Sequence, residues 1–125
     1  MRDRGVAHLH LHTEYSRLDG AARVADVMRA VAADGQPAVA LTDHGNLYGA
    51  VEFTKAANAA GVKPIIGIEA YLTPGSRFDR PPRRDDIRYH LTLLARDETG
   101  YRNLIQLTSK AYLDGFYYKP RMDHE

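Results

Sequence analysis

His10-Leu11-His12 places two imidazoles two residues apart. In an extended segment such residues project the same way, roughly 6.6 Å apart at Cα, so both rings can reach one cation. Groups of the same chemical kind recur at Asp19, Asp43-His44, Glu69 and His90. An isolated His-x-His is as readily a hydrogen-bonded surface pair, and it is the recurrence of nitrogen and oxygen donors that argues for metal. The alternatives are a polar core cluster or a phosphate-binding pocket without an ion. The chain has no cysteine, which excludes thiol catalysis, disulfides and sulfur ligation. Nitrogen and hard oxygen donors suit zinc, manganese or iron(II) and do not choose among them. Ions sharing a carboxylate could activate water, hold a phosphoryl oxygen and stabilise a leaving alkoxide, which is the chemistry of phosphate-ester hydrolysis. No Walker loop, dinucleotide fingerprint or Gly-x-Ser-x-Gly elbow competes with this reading.

These donors converge only if the right elements carry them. Residues 6–13 alternate His8, His10 and His12 with Ala7, Leu9 and Leu11, the period of a strand. Val24, Val27, Met28 and Val31 then follow a helical period that ends at Asp34-Gly35. Residues 38–42 form a short apolar run between Pro37 and Asp43, as expected of a strand buried on both faces. A helix over about 48–60, strands over 65–72 and 89–95, and a helix over 100–112 complete the order. Strands alternating with helices predict an α/β class with parallel pairing. In such folds ligands gather at the carboxyl ends of strands, where Asp43, His44 and Glu69 fall. His90 sits instead at the start of its strand. Four such units are about half of a closed eight-unit barrel. The expectation is therefore an open sheet or the first half of a barrel.

Length allows one domain, and 44% apolar with 26% charged residues is the composition of a folded globular chain. A net charge of +1 makes any contact with nucleic acid local rather than global. No apolar run has the length of a signal peptide's core or a membrane span, which predicts a cytoplasmic protein without membrane partners. Residues 73–88, rich in Pro, Gly, Arg and Asp, read as a mobile, solvated loop whose arginines could touch a phosphate backbone. Tyr112, Phe116, Tyr117, Tyr118, Lys119 and Arg121 interleave rings with cations, a pattern that packs against further chain or stacks the bases of a single strand. His8 is a neighbour of the cluster or a packed residue, and His124 lies in no motif.

Four segments carry a resemblance across nearly the whole chain: HLHLHTEYSRLDGAA, LTDHGNLYGAVEF, KPIIGIEAYLTPGSR and YHLTLLARDETGYRNLIQLTSKAYLDGFYYKPRMD. Together they resemble the polymerase and histidinol phosphatase (PHP) family, in the branch at the amino terminus of bacterial DNA polymerase III alpha subunits. The resemblance implies the first part of a distorted (β/α)7 barrel, with residues 1–125 an incomplete PHP domain. It implies up to three metals, zinc, manganese or iron, and matches six ligand positions here: His10, His12, Asp19, His44, Glu69 and His90. One ion would take His10, His12 and Glu69. Glu69 would bridge to a second with His90, and Asp19 with His44 would hold a third. Remaining ligands would lie later in the barrel. The implied parent is a DNA-directed polymerase that binds primer-template DNA and other holoenzyme subunits. The implied chemistry of this segment is 3′-5′ exonuclease or phosphoesterase hydrolysis, the alternatives being a free-standing phosphoesterase or a structural scaffold.

Overall fold

The computed structural model describes residues 5–125; the basic start at positions 1–4, part of the signal-peptide reading, lies outside the described residues. After a short 3-10 turn at Glu14–Ser16, the elements are α1 (Val24–Asp34), β1 (Ala38–Leu41), α2 (Ala50–Ala59), β2 (Lys63–Leu72), β3 (Tyr89–Leu94), α3 (Glu98–Leu113), β4 (Phe116–Tyr117) and β5 (Lys119–Met122). α1 buries Val24, Val27, Met28 and Val31, the stripe its sequence spacing predicts. It stops at Gly35, which takes the left-handed conformation while the Gly35 and Gln36 N–H groups reach back to the Ala32 and Val31 carbonyls. α2 buries Ala50, Phe53 and Ala57, which pack with the α1 stripe and with Val39 and Leu41 of β1. A second, smaller core joins Ile68 and Ala70 of β2 to Leu104 and Ala111 of α3 and Met122 of β5. α3 begins where the Asp97 carboxylate accepts the Gly100 N–H.

The long strand β2 organises the sheet. Its first half pairs in parallel with β1, Ala38 opposite Lys63 through Leu41 opposite Ile66. Beyond β1, a bridge between His44 and Glu69 extends the contact, and Tyr71 and Leu72 then pair in parallel with Arg121 and Met122 of β5. The class is thus mixed α/β with parallel strands and intervening helices, and the sheet does not close among the described residues.

Two expectations about strands need correction. β3 runs antiparallel to β2, Gly67 opposite Leu94 through Leu72 opposite Tyr89. Residues 73–88 between them hold a short 3-10 turn, Arg83–Asp85, and no α-helix, so the chain folds back beside β2, where a parallel return would have needed a crossover. Residues 6–13 are extended but form only one bridge, His8 with Val39. Ala40 N–H bonds to the His8 carbonyl and Thr42 N–H to that of Leu11. Three residues on one side thus match two on the other, and the extra residue prevents a regular ladder.

The 73–88 segment is not the free loop its composition suggests. The Arg77 guanidinium donates to both carboxylate oxygens of Asp123, at 2.9 and 3.2 Å, and the Arg121 guanidinium donates to the carbonyls of Arg77, Asp79 and Gly115. The Arg80 guanidinium reaches the Asp114 carbonyl, and the Tyr117 hydroxyl donates to that of Pro81. Arg80 and Arg121 thus serve backbone acceptors that would otherwise need water, while Arg77 is held by Asp123.

Candidate functional site

Glu69 stands near the end of β2 with its side chain only 5% exposed. Four imidazoles surround its carboxylate. Oε1 lies 3.0 Å from His10 Nε2 and 3.5 Å from His90 Nδ1, while Oε2 lies 3.3 Å from His12 Nε2 and 2.5 Å from His44 Nδ1. The other nitrogen of His44, Nε2, is 3.1 Å from Asp19 Oδ2. All six sequence-predicted positions therefore meet in one place. Donor atoms of His10, His12 and Glu69 form one compact group, and those of His44, Glu69 and His90 form another. His44 thus faces both Glu69 and Asp19, a position that the resemblance had assigned to the Asp19 side alone.

Each side chain arrives by a definite route. The extended 8–12 segment carries His10 and His12, β1 leads into His44, and β2 carries Glu69. His90 arrives because β3 is antiparallel: the start of β3 lies beside the end of β2, with His90 opposite Tyr71. The anomaly of a candidate ligand at the wrong end of its strand is one of strand direction. Gly45, directly after His44, takes a positive φ of 65°, and a Cβ there would come within 2.9 Å of the Tyr71 ring. Its N–H donates to the Glu69 carbonyl, and the Glu69 N–H to the Asp43 carbonyl, which fixes this turn against β2.

Asp43, grouped by sequence with the ligand-type residues, faces away from the cluster. Its fully buried carboxylate accepts from Thr13 N–H at 2.6 Å, Thr13 Oγ1 at 2.7 Å and Ser16 Oγ at 2.7 Å. The Glu14–Ser16 turn brings the chain back under His12, so that Ser16 Oγ is 3.3 Å from His12 Nδ1 and accepts the His44 N–H at 3.1 Å. Thr13 and Ser16 were missed by sequence reading. Their signal was faint: small polar residues shortly after the His10 and His12 pair. His8 is exposed and outside both donor groups, as is His124.

The donor set fits divalent cations by its own chemistry. His44 Nδ1 and Glu69 Oε2 are buried, close, and without a hydrogen bond to each other or to any other group. Two buried lone-pair atoms facing one another are costly unless a proton or a cation lies between them. Burial, and next the neighbouring His44, hold His12 below its ordinary pKa against the opposing pull of Glu69. A ring kept neutral in this way offers its lone pair near neutral pH. Burial also raises the Tyr71 hydroxyl, with Glu69 adding to it, so this ring is a neutral wall beside His44 and His90.

Comparison with known proteins places this geometry in context. The chain is 58% identical over 123 residues to the DNA polymerase III subunit alpha of Thermus aquaticus, a match covering 95% of this chain and 10% of that protein. It is 55% identical over 119 residues to that of Treponema pallidum, covering 94% and 10%. The chain therefore spans about a tenth of the length of these curated relatives. Among solved structures, an amidohydrolase from Chromobacterium violaceum aligns with a TM-score of 0.57 and 24% identity over 83% of this chain and 34% of its own. A protein from Bifidobacterium adolescentis, inferred to be a metal-dependent phosphoesterase, aligns with a TM-score of 0.54 and 19% identity over 85% and 34%. At these identities the two structures speak for the fold. The sequence pattern described as the PHP domain matches residues 8–125, and the chain belongs to that family.

Proposed function

We propose that residues 1–125 are the amino-terminal portion of a PHP domain in a bacterial replicative DNA polymerase alpha subunit, and that this portion supplies most of a metal-dependent phosphodiesterase site. The observation that supports the reading best is Glu69, a buried carboxylate with four imidazole nitrogens within 3.5 Å. His10, His12 and Glu69 would hold one zinc, manganese or iron ion. Glu69 with His90 and His44 would hold a second, and Asp19 with His44 would begin a third. Bound there, divalent ions supply an activated water and charge stabilisation at a phosphoryl oxygen and a leaving alkoxide. The protein's own contribution is to keep the His12 ring neutral, aim the imidazoles at a shared carboxylate and leave the His10 and His90 side open. His10 is 55% exposed and His90 52%, so a substrate phosphodiester can reach that side.

The identity to polymerase III alpha subunits supports the parent assignment, and with it DNA and other holoenzyme subunits as partners in the cytoplasm. Among the described residues, no helix is long and apolar enough to cross a membrane. The test is made on the full-length protein carrying this segment, by elemental analysis and by release of nucleotides from a 3′-labelled single-stranded oligonucleotide. His10→Ala and Glu69→Ala should each lower bound metal and abolish nucleotide release while leaving primer extension largely intact. Wild-type protein without metal above background would overturn the proposal. Loss of extension equal to loss of hydrolysis would make the cluster a structural brace.

A further inference from the structure

The Asp19 and His44 side of the cluster opens into a cavity of about 400 Å³, within the range that holds small ligands. Rings from three separate parts of the chain form its wall: Tyr48 ahead of α2, Tyr112 near the end of α3, and Phe116 and Tyr118 of the β4–β5 hairpin. The Tyr48 and Tyr112 hydroxyls are 3.0 Å apart, and the Tyr112 and Phe116 ring centroids 5.9 Å apart, so these side chains form one continuous surface. Yet Tyr48, Phe116 and Tyr118 are all exposed. Cations stand beside the rings. Arg17 and Lys119 line the same cavity, with the Lys119 ammonium 5.7 Å from the centre of the Tyr71 ring, and the Arg83 guanidinium lies 5.0 Å from that of Tyr118. Asp19 is the carboxylate on this wall and belongs to the cluster itself.

We infer that this wall is the subsite for the terminal nucleobase of a single DNA strand, stacked on Phe116 and Tyr118, with Lys119 and Arg17 neutralising the adjoining phosphates. The inference rests on the phosphodiesterase reading for the identity of the substrate. Three features favour a nucleotide over an apolar partner surface: the cavity is continuous with His44 and Asp19, cations border the rings, and tyrosine hydroxyls give the wall a polar edge. Flat rings stack every base and so tolerate any sequence, as an exonuclease requires. A second cavity, of about 700 Å³, lies at the other end of β2 around Lys63 and Ile65; it sets one ring, Tyr101, among Lys55, Lys63 and Arg96, and none of the cluster donors lines it.

The test compares two 3′ ends on the full-length protein: an oligothymidylate, and the same strand ending in an abasic tetrahydrofuran residue. Wild-type enzyme should show a KM about tenfold or more higher for the abasic end. The double variant Phe116→Ala, Tyr118→Ala should raise KM for the thymidine end to the abasic value with kcat and metal content nearly unchanged. Equal KM values for the two ends on wild-type protein would overturn the inference, and would point to another part of the chain covering the wall. A second readout does not require turnover. Saturation-transfer NMR with thymidine 5′-monophosphate should show contacts to the thymine protons in wild-type protein and lose most of them in the double variant. Unchanged contacts in the variant would overturn the inference, whereas their loss in a protein that hydrolyses nothing would keep the subsite and remove the phosphodiesterase reading.

Discussion

Ser16 has one hydroxyl proton, and two neighbours could accept it. Asp43 Oδ1 at 2.7 Å takes it in preference to His12 Nδ1 at 3.3 Å. The Ser16 oxygen is then an acceptor toward His12, which must carry its proton on Nδ1 and point the lone pair of Nε2 at Glu69. The Asp43–Ser16–His12 chain thereby selects a tautomer, the usual task of groups behind metal-binding histidines. Ser16→Ala should weaken metal affinity about 10- to 100-fold, read by competition with a fluorescent chelator, and Ser16→Thr should restore most of it. His12 also carries a pH dependence. Its folded pKa is lower than the 6.5 of the unfolded chain, so on acidification the unfolded state takes the proton first. Stability of the metal-free protein should therefore decline as pH falls from about 6.5, until His12 protonates in the folded state as well. His12→Gln should flatten that part of a thermal-unfolding series. Residue types and strand ends made His10, His12, His44 and Glu69 legible from sequence. The partnership of Ser16 with Asp43 spans 27 positions and has no periodicity to betray it.

Elements were legible where their signal was local. α1 ends at Asp34 as its spacing and Gly35 predict, and β1 and β2 fall where apolar runs follow Pro37 and Pro64. Direction was not legible, because Tyr89-His90-Leu91 reads the same in a parallel or an antiparallel strand and only the lack of a crossover α-helix in 73–88 hints at a hairpin. The small strands β4 and β5 were also hidden, being two and four residues long and interrupted by Tyr118 at positive φ. What they anchor is substantial. Arg121 is fully buried, with its guanidinium 3.6 Å from the equally buried Asp86 carboxylate and bonded to three backbone carbonyls. Its removal would leave the Asp86 carboxylate to Arg88 alone, 3.1 Å away, and three carbonyls without their donor. Arg121→Ala should cost about 3–5 kcal/mol in urea unfolding of the complete domain. Arg121→Lys should recover only part, since an ammonium cannot span the same divergent carbonyls.

At the scale of the whole molecule, the cluster lies at one end of a sheet whose strands come from both directions, and the second half of the sheet is tied down by contacts distant in sequence. β2 stands between its partners, with β1, β5 and β3 all bonded to it. The tie across 73–88 runs from Arg77 on the β2 side to Asp123 just beyond β5. Arg84 sits at the outer bend of that segment with its side chain 86% exposed, an accessible target for trypsin. A cut there would leave β2 on one fragment and β3, α3 and β5 on the other, still paired in two ladders and pinned by Arg77. Digestion should therefore give two bands on a denaturing gel and an unchanged elution volume under native conditions. Separation of the fragments would show that the ladders do not hold unaided. If they stay together, the covalent link between Glu69 and His90 is dispensable once the fold has formed, and this bend is a place where the protein could be split into complementing halves.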